Sequence, residues 1–240
     1  ADSTWFWLEI DGLTPGQEYA FQYLVNGDLR IADPYSELTL HPDDDPYDPS
    51  SVYPNIPTYP HGKTNFSVGV LQPGNDEYAW TSTNYERPET KDLVIYELLL
   101  RDFLKDHSYQ TLIDTLDYLD RLGVTAIELM PVNEFEGNLS WGYNPAFHLA
   151  LDKYYGTQNA FKAFVDAAHS RGIAVILDVV LNHAFGRSPI IRLWNDGNYG
   201  APTSENPYAN SIAKHPLQIT NTSMSVSQTW HKHHTEFPWT

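Results

Sequence analysis

Three apolar runs, LVIYELLL from Leu93, VTAIELM from Val124 and IAVILDVVL from Ile173, are separated by two amphipathic stretches that each close on a glycine. Near-continuous apolar runs of this kind suit parallel strands covered on both faces. In SYQTLIDTLDYLDRLG, Leu112, Leu116 and Leu119 share one helical face, with Ser108 placed to cap the start and Gly123 to end it. In TQNAFKAFVDAAHSRG the stripe is Phe161, Phe164, Val165 and Ala168, and Gly172 is the stop. Strand, helix, strand, helix, strand predicts an α/β fold with a parallel sheet and right-handed crossovers.

The chain before these runs has a different grammar. WFWLEI, EYAFQYLV and LRIA are short alternating segments, and Asn26-Gly27 between the last two is a hairpin signal. Residues 1–80 are therefore expected to form a partial antiparallel β-sandwich. The Pro- and Asp-rich stretch from Ala32 to Lys63 is expected to hug its surface, because each Pro removes a ladder donor. Residues 81–92, TSTNYERPETKD, have the composition of a linker.

Function is expected where the economy of the α/β half breaks. About two dozen residues, PVNEFEGNLSWGYNPAFHLALDKYYG, separate the second strand from its helix, where such connections usually take roughly 2 to 6. They lie at the carboxyl end of a strand, where parallel α/β folds place their sites. Alternation along the third strand puts Ala174, Ile176, Asp178 and Val180 on one face. A carboxylate facing a packed interior needs a partner, and an arginine is the natural one; a strand-end Asp that only reaches water or caps a turn is the plainer reading. Asn182 and His183 follow where the strand ends. Imidazole can donate, accept or ligate, and the Asn oxygen suits a hard cation such as calcium, although either can also serve a loop backbone. Trp141 and Tyr143 in SWGYNP offer aromatic faces to sugar rings or pin the loop to the rim.

Composition narrows the ligand. Asp and Glu outnumber Lys and Arg 31 to 14, a formal charge of -17 that repels nucleic acid and anionic membranes and leaves a neutral substrate as the better fit. No run approaches the roughly 20 apolar residues of a membrane span. The chain opens without signal-peptide regions and is expected to be soluble, with a secreted or periplasmic place favoured over the cytoplasm. With no cysteine there is no thiolate chemistry.

In order and spacing, VTAIELMPVNEF, SWGYNP and DVVLNH resemble the second-strand signature, the loop with a sugar-stacking tyrosine and the third-strand motif of the α-amylase family of glycoside hydrolases. Residues 1–80 resemble the carbohydrate-binding-like, immunoglobulin-like module that precedes the catalytic domain in branching-enzyme and isoamylase-like members. The resemblance implies that residues 93–216 are the first three β/α repeats of a (β/α)8 TIM barrel that cleaves or transfers α-glucosidic bonds of starch- or glycogen-type glucans with retention. It implies that Tyr143 stacks on the sugar with Trp141 beside it, that His183 bonds a sugar hydroxyl, that Asn182 binds a structural calcium, and that Asp178 holds an arginine orienting the nucleophile.

Retention needs two carboxyl groups about 5 to 5.5 Å apart. The family takes them from later strands, in a Gly-Phe-Arg-x-Asp motif, at the end of the fifth strand and in an Asn-His-Asp motif. The chain has no Gly-Phe pair, and its Asn182-His183 runs on to Ala184. None of the three catalytic carboxylates is therefore expected here, and the chain alone is expected to be inactive. Residues 217–240 show no family pattern and suggest a truncation or a frameshift; their His231, His233 and His234 with Glu236 read as a solvated tail before a metal site. Arg101, at the end of the first run, is the nearest arginine for Asp178, which is expected either to pair with it or to be left to water. The alternatives are a non-catalytic carbohydrate-binding protein and an unrelated α/β metalloenzyme.

Overall fold

A computed structural model describes residues 8–181 and 183–195. The first half is antiparallel: β1 (Tyr19–Phe21), β2 (Tyr23–Val25), β3 (Leu29–Ile31), β4 (Thr39–Leu40) and β5 (Val68–Leu71). β5 lies between β1 and β4, with Tyr19 opposite Leu71 and Thr39 opposite Gly69. β2 and β3 form the hairpin expected at Asn26-Gly27. Both of those residues take positive φ, 53° and 86°, which Asn tolerates and Gly takes without penalty, and the Asp28 amide donates to the Val25 carbonyl. Leu38, Leu40, Tyr59, Val68 and Val70 make a small core. Among the described residues this half is one three-stranded sheet and one hairpin, with strands of two to four residues.

The second half runs β6 (Ile95–Leu98), α1 (Leu100–Phe103), α2 (Tyr109–Arg121), β7 (Ala126–Leu129), β8 (Asn133–Phe135), β9 (Pro145–Leu151), α3 (Gln158–His169), β10 (Ala174–Leu177) and α4 (Pro189–Arg192). β7 is the central strand of a parallel sheet, with Ala126 opposite both Ile95 and Ala174. The alternation of strand and helix is that expected from the three apolar runs.

Both long helices begin and end where their sequences signal. The Ser108 hydroxyl accepts from the Thr111 amide and the Thr111 hydroxyl accepts from the Ser108 amide, so two otherwise orphaned donors at the start of α2 are satisfied. Thr157 caps α3 in the simpler way, accepting from the Ala160 amide. Gly123 and Gly172 close the helices at φ 84° and 75°. Leu112, Leu116 and Leu119 of α2 and Phe161, Phe164 and Ala168 of α3 are buried against Ile127 and Leu129 of β7. Each such side chain contributes about 1.5 to 3 kcal/mol of transfer free energy.

Two expectations are corrected. Burial on both faces holds for β7 and fails for β6, where Ile95 is 49% exposed while Leu98 is buried. β6 pairs on one side with β7 and is an edge among the described residues, so its apolar run outlasts the strand: Leu100 already begins α1. The long connection after β7 is not structureless. It folds as the antiparallel pair β8 and β9, with register shifts on either side of Glu134.

The two halves are tied together by buried charge. Lys153, after β9, is 2% exposed and pairs with Glu134 of β8 and, at 3.4 Å, with Asp45 of the Pro- and Asp-rich stretch. That stretch was expected to hug the surface, yet His41 within it is 4% exposed. Asp44 accepts from the Gly137 amide and pairs with Arg187, while Asp48 accepts from Asn138. Burial opposes the charge on Lys153, but Glu134, Asp45, Asp152 and Asp48 outweigh it and hold the ammonium well above its ordinary pKa. Burial pushes Glu134 up despite the lysine, and pushes Asp48 up to about 7.

The start of the 81–92 segment, Thr81, Ser82 and Tyr85, lies along α3. Asp166 accepts from the Thr81 amide and hydroxyl, the Ser82 amide and the Tyr78 hydroxyl at 2.7 to 3.3 Å. Burial alone would raise its pKa, but these donors hold the carboxyl well below its ordinary range. Tyr85 stacks flat on His169 with ring centroids 3.8 Å apart.

Candidate active site

The site lies at the carboxyl ends of β7 and β10. The Asp178 amide donates to the Leu129 carbonyl, so the ladder continues one residue past β10 and Asp178 keeps the strand's alternation. Ile176, Glu128 and Glu97 stand abreast in register, which places Glu97 and Glu128 on the same face as Asp178.

The SWGYNP loop between β8 and β9 is laid over this end by one close approach. Gly142 has φ 88°, and a Cβ built there would meet the Pro131 carbonyl oxygen at 2.3 Å and its Cβ at 2.7 Å. Only glycine fits. The loop is braced by its own polar groups: the Ser140 hydroxyl accepts from the Gly142 amide and bonds Asn144, whose amide donates to the Glu136 carbonyl.

Tyr143, next in the chain, is held at both ends by the third-strand motif. Its hydroxyl donates to Asp178 Oδ2 at 2.6 Å, and its carbonyl accepts from His183 Nε2 at 2.7 Å. That contact requires the proton of His183 on Nε2. The hydrogen bond to Asp178 is the largest influence on the phenol, followed by burial and the charges of Asp178, Glu97 and Glu128; together they push its pKa up to about 12, so it stays a donor at neutral pH. Its ring remains 41% exposed and Trp141, two residues earlier, 61% exposed, leaving aromatic surface free for a ligand. Behind the loop, His148 of β9 bonds the Val180 carbonyl, and burial lowers its pKa.

Three expected residues, Tyr143, Asp178 and His183, are thus brought together, with Trp141 on the same loop facing solvent. Asn182 and the tail histidines lie outside the described residues. The pairing of Asp178 with Arg101 is corrected. Arg101 turns away in α1, bonds its neighbour Asp102 through Nε and Nη2 at 2.7 Å, and donates from Nη1 to the Ser140 carbonyl. Asp178 is half-buried and takes its donor from Tyr143 instead. Glu97 and Glu128 were missed by sequence reasoning, although the period-two alternation used for Asp178 would have placed them beside it had it been carried across the other two strands. Among the described residues no group of three or more His, Cys, Asp or Glu is arranged to hold a metal, and no helix is long and apolar enough to cross a membrane.

A parallel α/β sheet with an aromatic loop folded over its strand ends defines an α/β protein with a site at the carboxyl ends of its strands, and comparison with known proteins makes the assignment specific. A family model described as the α-amylase catalytic domain matches residues 105–239. The chain belongs to the α-amylase family. The match extends past Pro216, into the segment whose sequence carries no family motif. The malto-oligosyltrehalose trehalohydrolase of Saccharolobus solfataricus is 31% identical over 219 residues, 91% of this chain and 32% of that protein. That of Arthrobacter ramosus is 43% identical over 106 residues, 44% of this chain and 18% of the relative. Among solved structures, one assigned as an alpha amylase of Salmonella typhimurium superposes with a TM-score of 0.62 at 27% identity, covering 92% of this chain and 32% of the other. A pullulanase of Group B Streptococcus, solved with maltotetraose, shares the fold with a TM-score of 0.56 at 23% identity, again over 92% and 32%. The chain spans at most about a third of the length of these relatives.

Proposed function

We propose that this chain contributes the sugar-binding end of a retaining glycoside hydrolase or transglycosylase that acts on α-glucans of the starch or glycogen type, and that its three strands are the first three β/α repeats of a (β/α)8 barrel preceded by a partial β-sandwich. The observation that carries the reading is the fixing of Tyr143 between Asp178 and His183 at the strand ends, in a member of the α-amylase family. A half-exposed phenol ring held at both ends is preorganised to pack against the apolar face of a glucose unit, and Trp141 extends that surface. The extended similarity to malto-oligosyltrehalose trehalohydrolases supports a malto-oligosaccharide chain as the ligand.

The chemistry itself needs a nucleophile and an acid 5 to 5.5 Å apart, roughly as retaining enzymes place them. In the family these come from motifs that the 240 residues do not contain, so the chain alone binds and does not turn over. Calcium at Asn182 belongs to the same proposal: adding calcium after chelation raises the thermal midpoint, and an unchanged midpoint removes it.

The test is titration of the chain with maltoheptaose, followed by assay for reducing ends. Saturable binding weakened by Tyr143→Ala is expected, without release of sugar. Binding indifferent to Tyr143 removes the site, and release of reducing sugar overturns the claim that the chain is inactive.

A further inference from the structure

Tyr143 and His183, which hold each other at the strand ends, both sit on connections and not in the ladder. Tyr143 lies between β8 and β9, and His183 between β10 and α4. Segments outside a sheet or helix open readily unless side chains tie them down. The seating of the pair therefore depends on what fixes the two connections beyond the pair itself.

Both connections are fixed by one carboxylate from the other half of the chain. Asp44 Oδ2 accepts from the Gly137 amide at 3.1 Å, at the start of the connection that carries Tyr143. The same oxygen accepts from Arg187 Nη1, near the end of the connection that carries His183. The Asp44 carbonyl adds a third tie, accepting from Asn138 Nδ2 at 3.1 Å. Between these points the two connections also bond each other: the Arg187 amide donates to Glu136 Oε1, and the Phe185 amide donates to the Pro145 carbonyl at 2.8 Å.

Because a single oxygen serves Gly137 and Arg187, neither connection can shift without disturbing the acceptor of the other. The Asp44 side chain is 13% exposed and that of Arg187 21%, so water screens the pair only in part, and a charge-assisted bond in such a place is among the stronger ones. We propose that Asp44 is a positioning residue of the strand-end site, acting through Gly137 and Arg187 to set Tyr143 and His183 relative to each other. The ligand named in the test rests on the α-glucan reading above; the positioning rests on the bonds of Asp44.

The test uses the full 240-residue chain with isotopically labelled histidine ring nitrogens. The His183 ring signals are identified by their loss in His183→Gln, and in the unchanged chain they should show the proton on Nε2 that the Tyr143 carbonyl requires. In Asp44→Ala these signals should shift or broaden, and maltoheptaose affinity should fall about two- to thirtyfold. Asp44→Asn, which keeps an oxygen for the Gly137 amide, should lose less. Arg187→Met cuts the same tie from the other side and replaces Asp44→Ala if that variant does not fold. Asp166→Ala is the control for a tie that is merely structural: it frees Thr81 and Ser82 from α3, and should lower the denaturation midpoint while leaving the His183 signals and the affinity unchanged. A folded Asp44→Ala in which either readout is unchanged overturns the proposal. So does an Asp166→Ala that moves both as far, since Asp44 would then only hold the halves together. If the unchanged chain binds no maltoheptaose, the α-glucan reading fails, and the His183 signals alone decide for or against Asp44.

Discussion

The Tyr143 hydroxyl donates to Asp178 across 35 positions of sequence at 2.6 Å, and so joins the tip of the β8–β9 loop to the end of β10. Tyr143→Phe keeps the ring and deletes the donor. The half-buried carboxylate then turns to water, and the loop loses its tie to Asp178. Maltoheptaose affinity should fall about two- to twelvefold in Tyr143→Ala, the roughly 0.5 to 1.5 kcal/mol of an aromatic contact, and by less in Tyr143→Phe. Equal losses in the two variants would place the effect in the hydroxyl and not in the ring.

Gly142→Ala tests how the loop is seated. The added methyl meets the Pro131 carbonyl oxygen, and the positive φ disfavours any side chain, so about 1 to 3 kcal/mol of stability should be lost. Tyr143 moves with the loop. The expected result in a chemical-denaturation series is a lowered midpoint together with weakened sugar binding; full affinity at lowered stability would mean that the loop finds its place without the glycine.

Lys153 is buried between Glu134 and Asp45, and removing it leaves carboxylates with no cation. Lys153→Met should cost about 3 to 5 kcal/mol. The double variant Lys153→Met with Glu134→Leu should recover part of this, because it removes an unpaired charge as well as a partner. A double variant no better than the single would show that the remaining carboxylates, and not Glu134, set the cost.

Asp48 supplies a pH test. Its folded pKa, about 7, lies above its ordinary value because of burial, so the folded state holds the proton more tightly than the unfolded state between about pH 4 and 7. Over that window the contribution of Asp48 to stability falls as pH rises, and it is flat above. Asp48→Asn removes the ionisation and keeps an oxygen for Asn138. Its stability relative to the unchanged chain should therefore climb from pH 4 to 7 and then level off; a difference independent of pH would mean that Asp48 titrates normally.

The helices were legible because caps, stripes and stops act locally: Ser108, Leu112, Leu116, Leu119 and Gly123 each do in the fold what their spacing suggests. The family motifs were legible for the same reason, being short and in order. β8 and β9 were not, since three residues of NEF and a strand opening on Pro145 carry no alternation long enough to read. The partner of Asp178 was hidden by a different cause. Arg101 is near in strand order, but α1 begins two residues after β6 and carries its side chain to Asp102 and Ser140. The buried role of the Pro- and Asp-rich stretch depends on Lys153, more than a hundred residues away, and no local pattern announces such a pairing.

The grip of Asp166 on Thr81 and Ser82 bears on how a protein like this can be dissected. Composition suggests cutting at residue 92 to obtain the α/β half by itself. Such a piece would start downstream of the donors to the Asp166 carboxylate, would leave the His169 ring without Tyr85 above it, and would strip Lys153 of Asp45. The seam that is visible in the composition is not a seam in the forces, and an excised half would inherit orphaned charges on the surfaces exposed by the cut.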